Sequence, residues 1–578
     1  VILIHIPIFD DEMAKRQAVE SLEEVAGRDS PAPKRNRADE LGFQPQPLAQ
    51  PQEVNVGVTY NGEATENSHA LNGQSMLSAA AETQESIANA DAMSEDESEE
   101  ESRVLKNTRL SAPIAGYSDL YLDTIDRSAL DFDFEKLCSV SLSNINVYAC
   151  LVCGKYYQGR GHSSHAYFHA LDVGHHVFIN MQTQKVYVLP EGYEVTNRSL
   201  EDIKFVSDPK YTKEEVVKLD RVAREAFDLQ GRKYTPGFVG MNNIKANDYF
   251  NVIIQALSHV PPLRNFFMLE DFSGRPELAK RVSILFRKIW NPRAFKAHVS
   301  PHELLQEVAL RSNKKFSLTR QSDPVEFLSW FLNTLHLALG GSKTKPGSSI
   351  IQQIFQGRLK VESQRITAKA DAGDRLRFEE AAEVKVDISR FLLLTLDLPA
   401  APLFQDEQEK NIIPQVPLTS ILSKYDGRRA QEQLNHRRRY RLLHPLPPYL
   451  LFHVKRFSPN KFTSEERNPT IVTFDPRNLD MSPYVQPDPA MHPPGEPIWY
   501  DLVANVVLET VRGREDAVEG EEEAKRWKVQ LRKREDWVLI QDLFVEEAQG
   551  GLLYLGETYL QIWERRRTPR ANGKGKGK

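Results

Sequence analysis

The sequence is poor in cysteine, with 3 in 578 residues. Three thiols cannot build a disulfide framework, which fits a reducing compartment. No run of 18 apolar residues occurs, so no membrane-spanning helix is expected. A basic excess is missing too. The 74 Lys+Arg against 80 Asp+Glu leave a formal charge of −6. That excludes a globally basic nucleic-acid-coating protein but leaves local basic patches open. The apolar start from Val1 to Ile8 has no charged stretch ahead of it and runs into Asp10, Asp11 and Glu12. It does not read as a signal peptide. No cysteine follows Cys153 and no histidine follows His492. What remains is length enough for roughly two to four domains and a large core.

Residues 1–112 read as a disordered acidic and polar tail. Ser94 to Ser102 is a block of like charge, which repels itself and stays solvated. Ser94 and Ser98 each have an acidic residue three positions on, as phosphorylation acceptors do. Pro33 to Arg37 is a short basic cluster of the nuclear-localisation kind. Order is expected from about residue 113, with Tyr117, Leu120, Tyr121, Ile125, Leu130, Phe132 and Phe134 supplying core. A compact Cys/His segment fills 113–205. A charged helix from Glu214 to Leu229 and the stretch Gly231 to Gly237 make a linker over 206–233. A long mixed domain covers 234–566, and 567–578 is a basic flexible tail. The first part of that domain is helical: Val252, Ile253, Ala256 and Leu257 recur at helical spacing, as do Val325, Leu328, Phe331, Leu332 and Leu335. The second part is strand-rich, with short apolar runs at Leu450 to Phe457, Leu502 to Leu508 and Trp537 to Ile540.

The three cysteines lie between 138 and 153, and five of the 15 histidines between 162 and 176. Cys150-Leu-Val-Cys153 is a C-x2-C knuckle, which sets two thiolates on one tight turn as tetrahedral zinc requires. Two further ligands are expected from His165, His169, His175 or His176. The alternatives are an incidental spacing or a redox pair, and the redox reading lacks a thioredoxin-like βαβ setting.

This segment resembles the UBP-type zinc finger through Tyr148 to Cys153, Gly159-Arg160, His165, His169 and Gly174-His175. The resemblance implies one complete zinc set, Cys150, Cys153, His169 and His175. A second family set would use Cys138 and His165, but Ser141 and Gln158 stand where its other two ligands belong. One zinc ion is therefore expected. Fingers of this kind often hold the C-terminal Gly-Gly of ubiquitin. The matching arginine is Arg160, but Gly161 replaces the aromatic residue that follows it.

Gly240 to Asn251 with Gln255 to Leu257 resembles the Cys box of ubiquitin-specific proteases. Gln321 to Leu328, Leu446 to Phe457, Tyr500 to Val507 and Tyr559 to Trp563 are similar to later segments of that domain, in order. The resemblance implies an α+β chain: a small finger, then a papain-like fold with a helical thumb and β-rich palm and fingers. It also implies a missing catalytic centre. The nucleophile position is Asp248, the oxyanion-hole position Ala246, the histidine position Leu508 or at best Glu509, and the third-member position Gln541. A carboxylate cannot stand in simply for a thiolate, which must both attack and leave. Asp248 is expected as a solvated or capping residue at the start of its helix. Acid–base chemistry by Asp248 with His259 or His453 is the remaining catalytic alternative.

A degenerate finger ahead of a protease domain without Cys and His looks like the snRNP assembly-defective protein one family of splicing factors. The likeness covers roughly 114–566. It implies a noncatalytic nuclear scaffold that supports assembly or stability of the U4/U6.U5 tri-snRNP. The partners implied are U5 and tri-snRNP proteins, notably the RNA helicase and the central splicing scaffold. The basic stretches Arg437 to Arg441 and Arg565 to Arg567 are candidates for snRNA contact. The alternative function is a noncatalytic reader of ubiquitin or a ubiquitin-like protein. No membrane association is expected.

Overall fold

A computed structural model describes residues 120–221, 224–370, 376–400, 414–433, 436–458, 466–511 and 524–566. The two tails, Tyr117, Ser94, Ser98 and the Pro33 to Arg37 cluster lie outside the described residues. No described helix is long and apolar enough to cross a membrane.

Five short antiparallel strands form the finger sheet: β1 (Val147–Cys150), β2 (Tyr156–Gln158), β3 (Val177–Asn180), β4 (Val186–Val188) and β5 (Tyr193–Val195), in the order β2-β1-β3-β4-β5. Helix α1 (His165–Val173) lies between β2 and β3. Ser164 caps it, accepting from the Tyr167 N–H, and Gly174 ends it in the left-handed region at φ 76°. Leu130 and Phe132 are buried against Val147, Ala149, Val177 and Ile179. Leu120 and Phe134, expected in the core, are 42% and 44% exposed. The chain ahead of the sheet is irregular, so only side chains on its inner side are covered. Phe134 lies instead against His302, with ring centroids 5.6 Å apart.

Helix α2 (Glu201–Ser207) closes the finger and α3 (Lys213–Arg221) follows. The helix expected through Leu229 does not extend that far. Ala226–Phe227 is a strand paired with Lys233–Tyr234. Tyr234 is buried; its hydroxyl donates to the Asn291 carbonyl (3.1 Å) and accepts from the Ala294 N–H (2.9 Å). The stretch read as linker is therefore fastened to the domain that follows.

The thumb is built from α4 (Asp248–Ser258), α5 (Pro261–Leu269), α6 (Glu277–Ile289), α7 (His302–Arg311), α8 (Pro324–Ala338) and α9 (Ile350–Phe355). All of α4 is buried, so it is a central helix rather than an amphipathic surface one. Asp323 caps α8, accepting from Val325 and Glu326 N–H at 2.8 Å, and Pro324 occupies its first turn.

The strands follow: β6 (Gly357–Ala370), β7 (Leu376–Phe391), β8 (Leu394–Asp397), β9 (Asp426–Gln433), β10 (His436–Leu443), β11 (Tyr449–Lys455), β12 (Trp499–Val511), β13 (Ala524–Lys533), β14 (Asp536–Gln541), β15 (Phe544–Ala548) and β16 (Glu557–Arg565). A four-stranded sheet runs β7-β6-β10-β9. A larger one runs β8-β11-β16-β12-β13-β14-β15, with Leu479–Asp480 paired to β12. The central strands β11 and β12 are covered on both faces, which is why they read as continuous apolar runs, whereas β15 at the edge is exposed. On β11, Leu451 joins the thumb core while Leu450 and Phe452 join a second core beyond the sheet.

The finger docks on α6 and α7 through charge. Lys288 Nζ reaches Asp133 Oδ1 at 3.0 Å and the Phe132 carbonyl at 2.6 Å. Lys296 and the Ser300 N–H take Asp133 Oδ2 at 2.9 and 3.0 Å. Lys136 and Arg281 share Glu303 at 3.1 and 2.8 Å. Burial alone would raise the Asp133 carboxyl, but the two ammonium groups overrule it and hold it at about 2. A carboxyl lowered in the fold stabilises it above the unfolded value near 3.8, and that contribution is lost as pH falls through about 2. Asp133→Asn is expected to cost on the order of 3–5 kcal/mol, because two cations lose their buried partner. Thermal unfolding at neutral pH checks this, and the gap between the two proteins should close as pH falls below about 4.

Candidate functional site

Two places in the fold collect the residues singled out above. The first is the metal-type cluster. β1 ends at Cys150, and the chain turns back through Cys153 with Cys150 N–H to Lys155 carbonyl (2.9 Å) and Gly154 N–H to Cys150 carbonyl (2.9 Å). Gly154 sits at φ 72°, and a Cβ there would meet the Ala129 carbonyl oxygen at 2.2 Å, so the turn requires glycine. His169 comes from the middle of α1. The left-handed Gly174 cap returns the chain so that His175 faces it, with His169 Nε2 and His175 Nδ1 3.1 Å apart. Cys153 Sγ is 3.5 Å from His169 Nε2. The donor atoms of Cys150, Cys153, His169 and His175 all lie within 4.8 Å of one another.

Burial pushes the Cys150 thiol up to about 12 and holds His169 below its ordinary value, with His175 adding to the latter. Two thiols and two neutral imidazoles without an oxygen ligand are the donor set that suits tetrahedral zinc, and the cation's charge is what would make the thiolates. His176 is turned away: its Nδ1 meets the Leu189 carbonyl at 2.8 Å and its ring stacks on Tyr121. The second, incomplete set is closed by direct contacts. Ser141 Oγ donates to Gln158 Oε1 at 2.8 Å, and the Ser141 N–H points at Cys138 Sγ at 3.4 Å. Neither Cys138 nor His165 joins the quartet. The Arg160 guanidinium lies over the Tyr187 ring, 4.6 Å from its centroid.

The second place is the start of α4. Asp248 is its first residue and is 5% exposed, so the solvated position expected for it is wrong. Gln321 Nε2 donates to both carboxylate oxygens, at 2.9 and 2.7 Å, and also to the Lys525 carbonyl at 2.9 Å. The Trp527 N–H reaches Oδ2 at 3.1 Å, and the Tyr249 N–H reaches Oδ1 at 2.9 Å. Burial raises the Asp248 carboxyl, these donors oppose it, and Asp542 adds to the rise. The capping expectation survives in the Tyr249 contact alone.

Among the described residues no histidine ring bonds Asp248. His259 lies at the far end of α4, about 16 Å along the axis by helical rise, with Nδ1 on the Gln255 carbonyl at 2.8 Å. His453 is on β11, its ring against Tyr559. Burial lowers both imidazoles to about 4. Ala246 offers only its N–H, to the Leu318 carbonyl. Leu508 lies opposite Trp527 on β12 and is buried in the thumb core. Gln541 ends β14, and it is the next residue that faces the loop. Asp542, at φ 51°, takes Asn251 Nδ2 and Asn243 Nδ2, each at 3.1 Å, and its carbonyl accepts the Met241 N–H at 2.7 Å. Gly240 lets Leu543 approach: a Cβ there would lie 2.8 Å from the Leu543 Cα.

Gln321, Asn243, Asn251 and Asp542 were not assigned these roles by sequence reasoning. The available signal was a carboxylate opening an apolar helix, which demands donors, and asparagines crowded around it at 242, 243, 247 and 251. The arrangement is a satisfied buried polar network that ties α4 to β13 and to the β14–β15 turn.

The family model described as ubiquitin carboxyl-terminal hydrolase matches residues 239–561, and that described as Zn-finger in ubiquitin-hydrolases and other protein matches 138–200. The Schizosaccharomyces pombe "Probable mRNA-splicing protein ubp10" is 52% identical over 77% of this chain and 88% of its own length. The Homo sapiens "Ubiquitin carboxyl-terminal hydrolase 39" is 47% identical over 79% and 81%. The Saccharomyces cerevisiae "Pre-mRNA-splicing factor SAD1" is 33% identical over 77% and 93%. A solved structure described as that of an essential yeast splicing factor superposes with a TM-score of 0.62 at 32% identity, covering 77% of this chain and all of the other. The chain belongs to the ubiquitin carboxyl-terminal hydrolase family, in the branch of these relatives, and carries a UBP-type finger, which implies zinc.

Gln321→Leu is expected to leave the Asp248 carboxylate buried without its side-chain donor, held only by the Trp527 and Tyr249 N–H groups, costing about 1–3 kcal/mol or more. Chemical denaturation of the purified chain checks this; an unchanged midpoint would show that the carboxylate is not held by Gln321.

Proposed function

We propose that this protein is a noncatalytic scaffold of pre-mRNA splicing that supports assembly or stability of the U4/U6.U5 tri-snRNP in the nucleus. One observation carries the reading. The position that holds the nucleophile in the family is a carboxylate, buried and bonded to Gln321 and Trp527, in a chain whose relatives are named splicing proteins. All cysteines lie at 138, 150 and 153, in the finger segment. A thiol-ester intermediate cannot form at α4 without a thiol, and a general base is missing beside it. Surfaces that a working hydrolase devotes to its substrate are thereby released for docking. Spliceosomal U5 and tri-snRNP proteins are the partners this reading names.

The finger's role is structural. Cys150, Cys153, His169 and His175 would hold one zinc ion, which supplies charge that keeps both thiols ionised and pins α1 to β1 and the knuckle. A ubiquitin-tail role is less well supported, since Arg160 lies over Tyr187 and Gly161 leaves the adjoining space open.

Purified protein is expected to carry about one zinc per chain, as one complete ligand set implies. Cys153→Ser and His175→Ala should each lose it and lower the unfolding temperature; elemental analysis with calorimetry reads both, and a metal-free folded protein would remove the finger assignment. Asp248→Cys is expected to give no turnover of a ubiquitin C-terminal fluorogenic substrate, because no base accompanies the thiol. Function itself is tested by purifying the tagged protein from nuclear extract and sequencing the RNA that comes with it. Joint enrichment of U4, U6 and U5 RNAs is the expected result, and recovery without them would overturn the splicing assignment.

A further inference from the structure

The sheet β7-β6-β10-β9 has two unlike faces. Leu359, Tyr440 and Leu442 turn inward onto the second core. The register sets Arg437, Arg439 and Arg441 of β10 on the other, outward face, opposite Gln364, Glu362 and Lys360 of β6. Outward residues on one strand are roughly 6.6–6.8 Å apart, so the three arginines span about 13 Å in a row. Lys360, Arg439, Arg441, Glu362 and Gly427 help to line a cavity of about 250 Å³ on this face. The Nε atoms of Arg439 and Arg441 are buried and have no hydrogen-bond partner.

The acidic groups nearby are largely engaged. Glu362 is held by Lys360 at 2.8 Å, Asp426 accepts the N–H groups of Arg428 and Arg429, and Glu432 stands opposite Arg437 in register. Arg428 and Arg429 are exposed in the irregular stretch between Asp426 and Ala430, beside the row. A chain with a formal charge of −6 thus concentrates cations on one sheet face.

We infer that this outward face binds the phosphate backbone of RNA through Arg437, Arg439, Arg441 and Lys360. The inference rests on the splicing reading, which supplies RNA as the polyanion. A guanidinium offers a fork of donors that matches phosphate oxygens, and a row of three suits repeated phosphates better than a single anion. The outward positions of β6 and β10 named above carry no aromatic ring; Tyr440 also borders the cavity but packs on the second core beside Tyr425. Splayed bases have nothing to stack on there, so contact is to the backbone of a base-paired segment and is independent of sequence.

The test uses the full chain and a fluorescent RNA duplex of arbitrary sequence, titrated between about 50 and 200 mM salt. Arg437→Gln/Arg439→Gln/Arg441→Gln should bind at least about 10-fold more weakly, with a log–log salt slope shallower by roughly 2–3. The matching triple lysine variant should retain most of the affinity. If the glutamine triple unfolds early, Lys360→Gln/Arg439→Gln is read instead, with an expected loss of at least about 3-fold. Absence of binding by the parent chain, or equal binding by a folded glutamine variant, overturns the site. Equal displacement of the RNA by an acidic peptide at matched charge overturns RNA as the occupant. The splicing reading is judged separately: snRNA recovery from nuclear extract by a chain that binds no duplex would sink this face alone. Duplex binding without snRNA recovery would sink the splicing reading alone.

Discussion

A carboxylate that leaves water must find donors, and at Asp248 the fold provides them from three directions. Gln321 comes from the loop before α8, Trp527 from β13 and Tyr249 from α4 itself. The same Gln321 amide also holds the Lys525 carbonyl, so the thumb and the larger sheet are joined at the start of α4. One step away, Asn251 and Asn243 grip Asp542 at the β14–β15 turn. A network of this kind is costly when half-satisfied and rigid when complete.

The finger is held by the same logic at a second point. Asp133 and Lys288 are removed from water together, the half-buried Lys296 joins them, and Phe295 from the thumb side packs on the finger's own core. Removing charges from solvent repays little by itself, but it fixes one relative placement of the joined parts.

Much of the fold was legible because its patterns are local. The α4 and α8 helices were visible in apolar spacing at Val252 to Leu257 and Val325 to Leu335. The β11 strand was visible as a short apolar run, and its burial on both faces explains why that run does not alternate. The finger knuckle was legible because two cysteines on one turn are a short-range feature. The sequence pattern carries the α3 helix too far, and it does not show that Tyr234, at the start of the long domain, is buried, because that burial depends on Asn291 and Ala294, far along the chain. Leu120 and Phe134 were read as core because composition does not say which side of an irregular segment is covered.

Sequence alone determined which side chains are available: no thiol beyond Cys153, no imidazole beyond His492, and aspartate at 248. It determined the Cys150–Cys153 knuckle and a pool of four candidate histidines as well, and the resemblance to the UBP-type finger pointed to His169 and His175 among them. Tertiary structure decided what became of the vacated positions. It buried Asp248, chose Gln321 as its donor, set Asp542 rather than Gln541 against the loop and bonded Ser141 to Gln158. Each of these pairs joins residues 17 to 291 positions apart, and no local pattern encodes which donor meets which acceptor once both have left water.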